Sequence, residues 1–538
     1  MIARKRLGIG GAAVLLAMPL LSSCSTSSSK QTAPTPTTAS SKATTGSTQA
    51  SNSAMAANST SMILKAGTAG GIDRMDPCAG PSGRDYTFLW NVYDTLTQVN
   101  YSTGKIEPDL ATSWKFLGSN HTTVQLTLRS GVRFTDGTPL TAAAVQQSIE
   151  HCKAVGIDKD VDVIKSVSVV NPNTVQLQLT QPDADILYVL ADRPGMIVSP
   201  TALAKYGNSI GIHPVGTGPY MVTSYTPGTS MDLVKNPNYW NPSAIHFAGI
   251  DYTIYQSAAT AVSALEDGQI QDAFFIPATT VATMKSDPQL KVIQEPSAVS
   301  QPIVLNDSKA PLNNVLVRQA MNIAVNRSAL STAIQGSGVG GPTWLPFPPG
   351  TPGYDPAVVP TFPYNPTKAK SLLSQAGYPN GFTLQVCANP ANDNGSLIAI
   401  LKQEMAQVGI TLDFVLETGS TCVQRFNIQQ SIPAFLSGFG PSVAPGLTYS
   451  SWWGLNGANN VGNVKFPKIN SLVQQYEAST NATQQVALLD QMAVWFKEYA
   501  PTVLLYFEPI VSGLAKNVGG VAPSYLGLPN LNDLYFTS

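Results

Sequence analysis

The chain has 538 residues, 43% of them hydrophobic and only 12% charged, with a formal net charge of −1 at pH 7. That near-neutral balance, with no basic stripe, leaves no electrostatic footprint for nucleic acid. The four histidines are scattered and the five cysteines match no zinc spacing, so neither a metal nor a cofactor is expected.

The N-terminus has the anatomy of an export signal. Arg4, Lys5 and Arg6 form a positive start, and Ala12 to Leu21 an apolar core shorter than the roughly 20 residues a bilayer requires. Leu21-Ser22-Ser23-Cys24 then looks like a bacterial lipobox, in which small residues precede a Cys that takes a diacylglycerol. Ser23 stands where Gly or Ala is usual. Residues 1–24 therefore read as a lipoprotein signal peptide, with Cys24 as the anchor at the outer face of the cytoplasmic membrane. No adjacent arginine pair precedes the core, which favours the general export route over the twin-Arg one. Residues 25–60 hold 19 Ser or Thr among 36 positions and only two charges, Lys30 and Lys42. Such a segment cannot bury enough apolar surface to offset its ordering entropy, so it is expected to be a flexible tether.

From Ser61 the composition is globular for about 480 residues, too many for one simple core, and two or three lobes are expected. Val124, Leu126 and Leu128 alternate with polar residues and predict a half-buried strand. The turn Thr135-Asp136-Gly137-Thr138 follows, and Thr141 is a good N-cap for a helix running to about Cys152. Asn171-Pro172-Asn173 introduces a second alternating strand at Val175, Leu177 and Leu179. Val317, Ala320, Met321 and Ala324 make a helical stripe. Asn365-Pro366 reads as cap and first helical residue, Ala369, Leu372, Leu373 and Ala376 form its apolar face, and Gly377 ends it. Strand Thr383–Val386, helix 397–408 and strand Thr411–Leu416 continue the order helix, strand, helix, strand. That order predicts α/β construction with mostly parallel pairing.

The chain resembles the peptide-, dipeptide- and nickel-type solute-binding proteins of ABC importers, bacterial solute-binding family 5. The motifs run in order along almost the whole mature chain. They are Asp76-Pro77; Tyr93-Asp94-Thr95-Leu96; Glu107-Pro108-Asp109-Leu110-Ala111; Leu128-Arg129 to Phe134; and Asp136-Gly137-Thr138-Pro139-Leu140-Thr141. Gly216-Thr217-Gly218-Pro219-Tyr220 and Asn236-Pro237-Asn238-Tyr239-Trp240 follow, then Val317-Arg318-Gln319-Ala320 and Tyr364-Asn365-Pro366. Turns and glycines are chiefly conformational devices, so these motifs read as architecture first.

The resemblance implies a two-lobed α/β fold of the periplasmic-binding-protein type (type II, with an extra subdomain), its lobes joined by crossing hinge strands. Residues 61–107, 213–285 and 505–538 would form lobe I, 108–212 its extra subdomain, and 286–504 lobe II. The cysteines left after Cys24 allow three pairings. This layout favours Cys78–Cys152 and Cys387–Cys422, each within one lobe. Closure around ligand would be a domain rotation.

The resemblance also places the ligand segment. Relatives that bind peptides often hold the α-ammonium with an Asp in a stretch matching Leu436 to Pro445, which here contains no acid. A buried ammonium without a carboxylate is expensive to desolvate, so the usual amine anchor is missing unless Asp393 or Glu417 replaces it. Cleft-lining candidates are Tyr86, Trp90, Tyr93, Trp344, Phe439, Gly440, Ser442, Trp452 and Trp453; were the last two on an extended segment, only one could face the cleft. Gly207-Asn208-Ser209-Ile210-Gly211 fits Gly-x-Ser-x-Gly, but Ile212-His213-Pro214 cannot start the helix a nucleophile elbow requires. Gly336 to Gly340 lacks the Lys-Ser/Thr of a phosphate loop. The expectation is a monomeric, lipid-anchored, non-enzymatic receptor that passes oligopeptide-like solutes to importer permease subunits. The alternatives are a receptor for a glycan or metal chelate, and a regulatory or scaffold lipoprotein that kept the fold.

Overall fold

The computed structural model describes residues 61–70, 74–79, 85–100, 104–155, 160–336, 340–389, 395–440, 442, 444–457, 459–520 and 528–537. The signal segment, Cys24, the tether and Asp393 lie outside the described residues.

Local sequence signals become local structure where they were read. Thr141 Oγ1 accepts from the Ala144 amide at 3.2 Å and opens helix Ala142–Val155. Asn365 caps helix Pro366–Gln375 through the Lys368 amide at 2.9 Å, and Gly377 takes a positive φ of 91° just after it. The two alternating segments are strands Thr123–Leu128 and Thr174–Leu179. They lie side by side in a four-stranded antiparallel sheet with Ala111–Leu117 and Ile164–Asn171 at its edges. Val124, Leu126, Val175 and Leu177 face one core with Val145, Ile149 and Cys152 of the helix. Each such aliphatic burial contributes about 1.5–3 kcal/mol.

Thr97–Asn100 pairs with Lys105–Pro108 and Val518–Gly519 with Tyr535–Phe536 in two small sheets, and a larger set of strands forms one long mixed sheet. Its order is Ile410–Leu416, Phe382–Ala388, Ala434–Leu436, Leu290–Leu305, Thr502–Ala515, Asp272–Phe274, Ile63–Ala69, Gly249–Tyr255, Ser230–Lys235 and Tyr220–Thr226. Phe382–Ala388 pairs in parallel with both of its neighbours, as the helix–strand alternation predicts. Ile63–Ala69 does the same with its two neighbours. Every other pair in this sheet is antiparallel, so the mostly parallel reading holds only locally.

The two longest strands carry the chain between cores. Leu290–Pro296 lies against Pro509–Ala515, and Ser300–Val304 against Thr502–Phe507, with the register broken between Pro296 and Ser300. On one side Ser512–Leu514 continues to Asp272–Phe274, and on the other Ile303–Leu305 continues to Ala434–Leu436. One end of the pair therefore belongs to a core built on Leu64, Phe88, Tyr252 and Phe274. The other belongs to a core built on Met321, Leu401, Trp495 and Leu505. These cores mark the first and second lobes, and the four-stranded unit adjoins the first. Disulfides join Cys78 to Cys152 and Cys387 to Cys422. No helix among the described residues is long and apolar enough to cross a membrane.

Candidate functional site

The sequence motifs converge on a buried carboxylate that does structural work. Asp94 Oδ2 accepts from Thr217 Oγ1 at 2.8 Å and from Trp240 Nε1 at 3.0 Å, while Oδ1 accepts from the Tyr239 hydroxyl at 2.8 Å. Burial pushes Asp94 up; the three donors and the Arg129 charge oppose that push. The Arg129 guanidinium lies 3.9 Å over the Trp240 ring and donates to the Asp109 carbonyl. Asp109 in turn accepts from the amide and hydroxyl of Thr95. Burial, then the Asp94 charge, raises it to about 8. Gly216 and Gly218 must lack side chains, since a Cβ would lie 2.2 Å from Val92 O at the first and 2.5 Å from Val92 C at the second. Five motif segments are thereby tied into one knot inside the first lobe.

The candidate ligand segment sits against the strand crossing. The Ser300 and Phe439 amides donate to each other's carbonyls at 2.7 Å, which pins Ser437–Gly440 beside the register break. Gly440 is exposed, and Ser442 donates its amide to Thr448 Oγ1 at 2.9 Å. The chain then enters helix Pro445–Trp453. On another flank of the crossing, Gly341–Pro342 pairs with Tyr506–Phe507, and half-buried Trp344 follows it. Tyr86 and Trp90 are half-buried on helix Tyr86–Val92 with ring centroids 5.6 Å apart. Tyr86 donates to Asp192 beneath the Arg193 guanidinium.

Three aromatic candidates are corrected. Tyr93 is 2% exposed, packs in the first core and donates its hydroxyl to Met75 O at 2.9 Å. Trp453 is 4% exposed among Tyr449, Trp495 and Phe496, with Nε1 3.4 Å from Thr502 Oγ1. The Phe439 side chain is fully buried, and half-buried Trp452 packs 4.4 Å from it, so the Phe439 ring serves packing. Large apolar rings serve cores and clefts alike, and composition could not separate the two. Trp452 and Trp453 are also not on an extended segment; they end a helix.

Of the two replacement acids, Glu417 is ion-paired with Arg425 at 3.0 Å. The groups Asp76–Cys78–His151 and Cys387–Glu417–Cys422 gather metal-ligand residue types, but their sulfurs are joined in the disulfides. Gly207–Ile212 is a short 3-10 helix after helix Pro200–Tyr206, and His213 stacks on Tyr206 at 4.2 Å. The strand–turn–helix elbow that would activate Ser209 is not formed.

Sequence reasoning missed Asp185, which lies just beyond strand Thr174–Leu179 and is buried at 3% exposure. Its Oδ2 accepts from the Leu447 amide at 2.9 Å and its Oδ1 from the Tyr476 hydroxyl at 2.8 Å, both on helices of the second lobe. Gln181 Nε2 donates to Glu477 Oε2 at 2.9 Å alongside. Burial is the main cause that raises Asp183 to about 6, Asp185 to about 7 and Glu477 to about 8. The partners of Asp185 are 262 and 291 residues away. The one local hint was Pro445-Gly446 opening a helix with no capping side chain before it.

A mixed sheet traversed twice by the chain, with a core on either side and an added antiparallel unit, is the two-lobed fold of an extracytoplasmic solute-binding protein. The chain belongs to the bacterial extracellular solute-binding proteins, family 5, whose model matches residues 105–461. It is 28% identical over 422 residues to a glutathione-binding protein, GsiB, of Shigella dysenteriae, covering 74% of this chain and 80% of the relative. Among solved structures it is similar to the periplasmic binding protein DppA of Helicobacter pylori in complex with the peptide STSA. That likeness has a TM-score of 0.78 at 23% identity, over 90% of this chain and 99% of that one. It is also similar to NikZ of Campylobacter jejuni in complex with Ni(L-His), with a TM-score of 0.74 at 21% identity, over 88% of this chain and 99% of that one. The protein is thus a substrate-binding component of an ABC importer and not an enzyme.

Proposed function

We propose that the protein captures oligopeptide-like solutes between its lobes and delivers them to the membrane permease as a monomer tethered through lipidated Cys24. The observation that carries this reading lies at Ser437–Gly440 and Ser442. The segment is pinned to the strand crossing at Ser300, and its chain runs on into a helix that touches the other lobe. A solute held there contacts both lobes. Only such a solute favours the closed form, since equal affinity for open and closed states shifts nothing. The names of the relatives support a small peptide, and NikZ makes a metal chelate the second chemistry to test.

With no acid in Leu436 to Pro445 and Glu417 engaged by Arg425, this reading has ligand recognition independent of a free α-amine unless Asp393 supplies the carboxylate. Calorimetric titration with matched free and N-acetylated oligopeptides, beside oligosaccharides and a nickel–histidine chelate, tests this. Acetylated peptides are expected to bind at least as well as free ones and to change Trp344 fluorescence; Trp453 is too deeply packed to report. At a hundredfold excess over the dissociation constant the ligand stabilises by about 2.7 kcal/mol. Silence across the whole panel would favour a regulatory or scaffold lipoprotein. Cys24→Ala is expected to release the protein from membranes or leave its precursor uncleaved; unchanged processing and retention would refute the anchor.

A further inference from the structure

We propose that Asp185 is the clasp of the closed form, reaching from the added antiparallel unit to supply the cap that helix Pro445–Trp453 of the second lobe lacks. The inference rests on the reading of the protein as one whose lobes open and close. The first amides of any helix have no partner within it, and an Asp side chain is among the best acceptors for them, by hydrogen bonding and by the helix dipole. That role usually falls to the residue just before the helix. Here that residue is Ala444, which offers no side-chain acceptor. The acceptor comes instead from Asp185, bonded to the Leu447 amide and also to that of Gly446.

The surroundings are shaped for this contact. A Cβ on Gly446 would lie 2.7 Å from Asp185 Oδ2 and 2.4 Å from Tyr476 Cε1, so only a bare backbone lets the carboxylate in. Tyr476, on helix Pro467–Ala478, closes the other oxygen. Apolar contacts flank the polar ones, with Leu447 packed on the core of the added unit and Ala184 on the core of the second lobe. Separating the lobes would strip the helix of its cap. Ser442 and Thr448 bond to each other directly across the helix start, so the clasp also fixes the candidate ligand segment.

The groups facing Asp185 give the clasp a dependence on protons. Asp183 lies on its own turn, Tyr188 on the helix that follows, and Tyr476 and Glu477 on the opposing helix. The charges acting on Asp185 and Glu477 are those of other acids. Burial holds all three carboxyls above their ordinary values, so a form that exposes them binds fewer protons than the closed one. Acid therefore favours closure, and raising the pH through about 6 to 8 opposes it.

The test is a pulsed electron-resonance distance measurement on the full processed chain without ligand, with spin labels on Val170→Cys and Ile428→Cys. These positions are 51% and 68% exposed, one on the added unit and one on the second lobe. The parent is expected to populate a short distance at pH 6 and to shift toward a longer one at pH 8.5. Asp185→Asn keeps an oxygen for the helix and an NH2 for Tyr476, so it is expected to hold the short distance at pH 6 and to shift less than the parent at pH 8.5, where Asp183 and Glu477 still titrate. Asp185→Ala should lower the closed-to-open ratio at least tenfold at pH 6. Tyr476→Phe, which removes one oxygen and nothing else, should lower it less. Unchanged distributions at pH 6 in both Asp185→Ala and Tyr476→Phe would overturn the clasp. Binding of peptides by variants with unmoved distances would sink the clasp alone, whereas clasp shifts with no solute bound would sink the binding reading alone.

Discussion

Asp94 and Asp185 are two buried carboxylates built from the same parts. Each satisfies one oxygen with a tyrosine hydroxyl and the other with N–H donors, helped at Asp94 by a threonine hydroxyl. They differ in who supplies the partners. Around Asp94 every donor comes from the first lobe and the added unit, and the Arg129 charge stands close. Around Asp185 the donors come from the opposite lobe, and its charged neighbour is another acid. A carboxylate enclosed by one lobe, with a cation beside it, is a permanent knot, because nothing short of unfolding exposes it. A carboxylate capped by the other lobe, among acids, is conditional, because rigid-body motion exposes it. Hydrogen-bond chemistry alone does not separate structure from mechanism; the connectivity of the partners does.

Four measurements tell the two carboxylates apart. Asp94→Ala leaves buried Thr217 and half-buried Tyr239 and Trp240 without their acceptor and should cost about 3 kcal/mol of stability, seen as an earlier calorimetric transition. A transition in place would mean that the knot is not a support. Asp185→Ala should weaken the closed form by about 2 kcal/mol while leaving the melting of each lobe within about 0.5 kcal/mol. Equal losses in closure and lobe melting would erase the distinction. Tyr476→Phe should weaken closure by about 1 kcal/mol, one neutral hydrogen bond. Finally, peptide affinity should be higher at pH 5.5 than at pH 8.5. The raised carboxyls make their full contribution to closure below the ordinary carboxylate range and lose it as the pH climbs past about 8. Affinity that rises with pH would reverse the sign of the argument.

The sequence disclosed what neighbouring residues decide between themselves. Thr141, Asn365 and Gly377 mark helix ends because capping is settled within three or four residues. Alternation at Val124–Leu128 and Val175–Leu179 disclosed two strands, though not that they would be adjacent. Motif order disclosed the family, and five of the motif segments proved to serve the Asp94 knot, in keeping with their turn-and-glycine chemistry. What stayed hidden depends on distant partners. Tyr93 and Trp453 look like any cleft aromatic until their neighbours are known, and Asp185 looks like any acid after a strand. The helix Pro445–Trp453 was concealed by the absence of a capping residue in front of it, the very absence that Asp185 fills.

The position of strand Thr502–Ala515 has a consequence for how the molecule is made. It lies in the interior of the long sheet, between Leu290–Leu305 and Asp272–Phe274, although it follows every other strand of that sheet in sequence. Until it arrives, the edges of both neighbours stand open and neither lobe has its central strand. A chain that emerges N-terminus first therefore cannot complete either lobe until about residue 515 is free, however early the rest has appeared. Long-range closure of this kind is slow, and unpaired strand edges invite pairing with other chains. The architecture that joins two lobes into one binding protein thus also makes both wait for a single strand and lengthens the interval in which their edges stand unpaired.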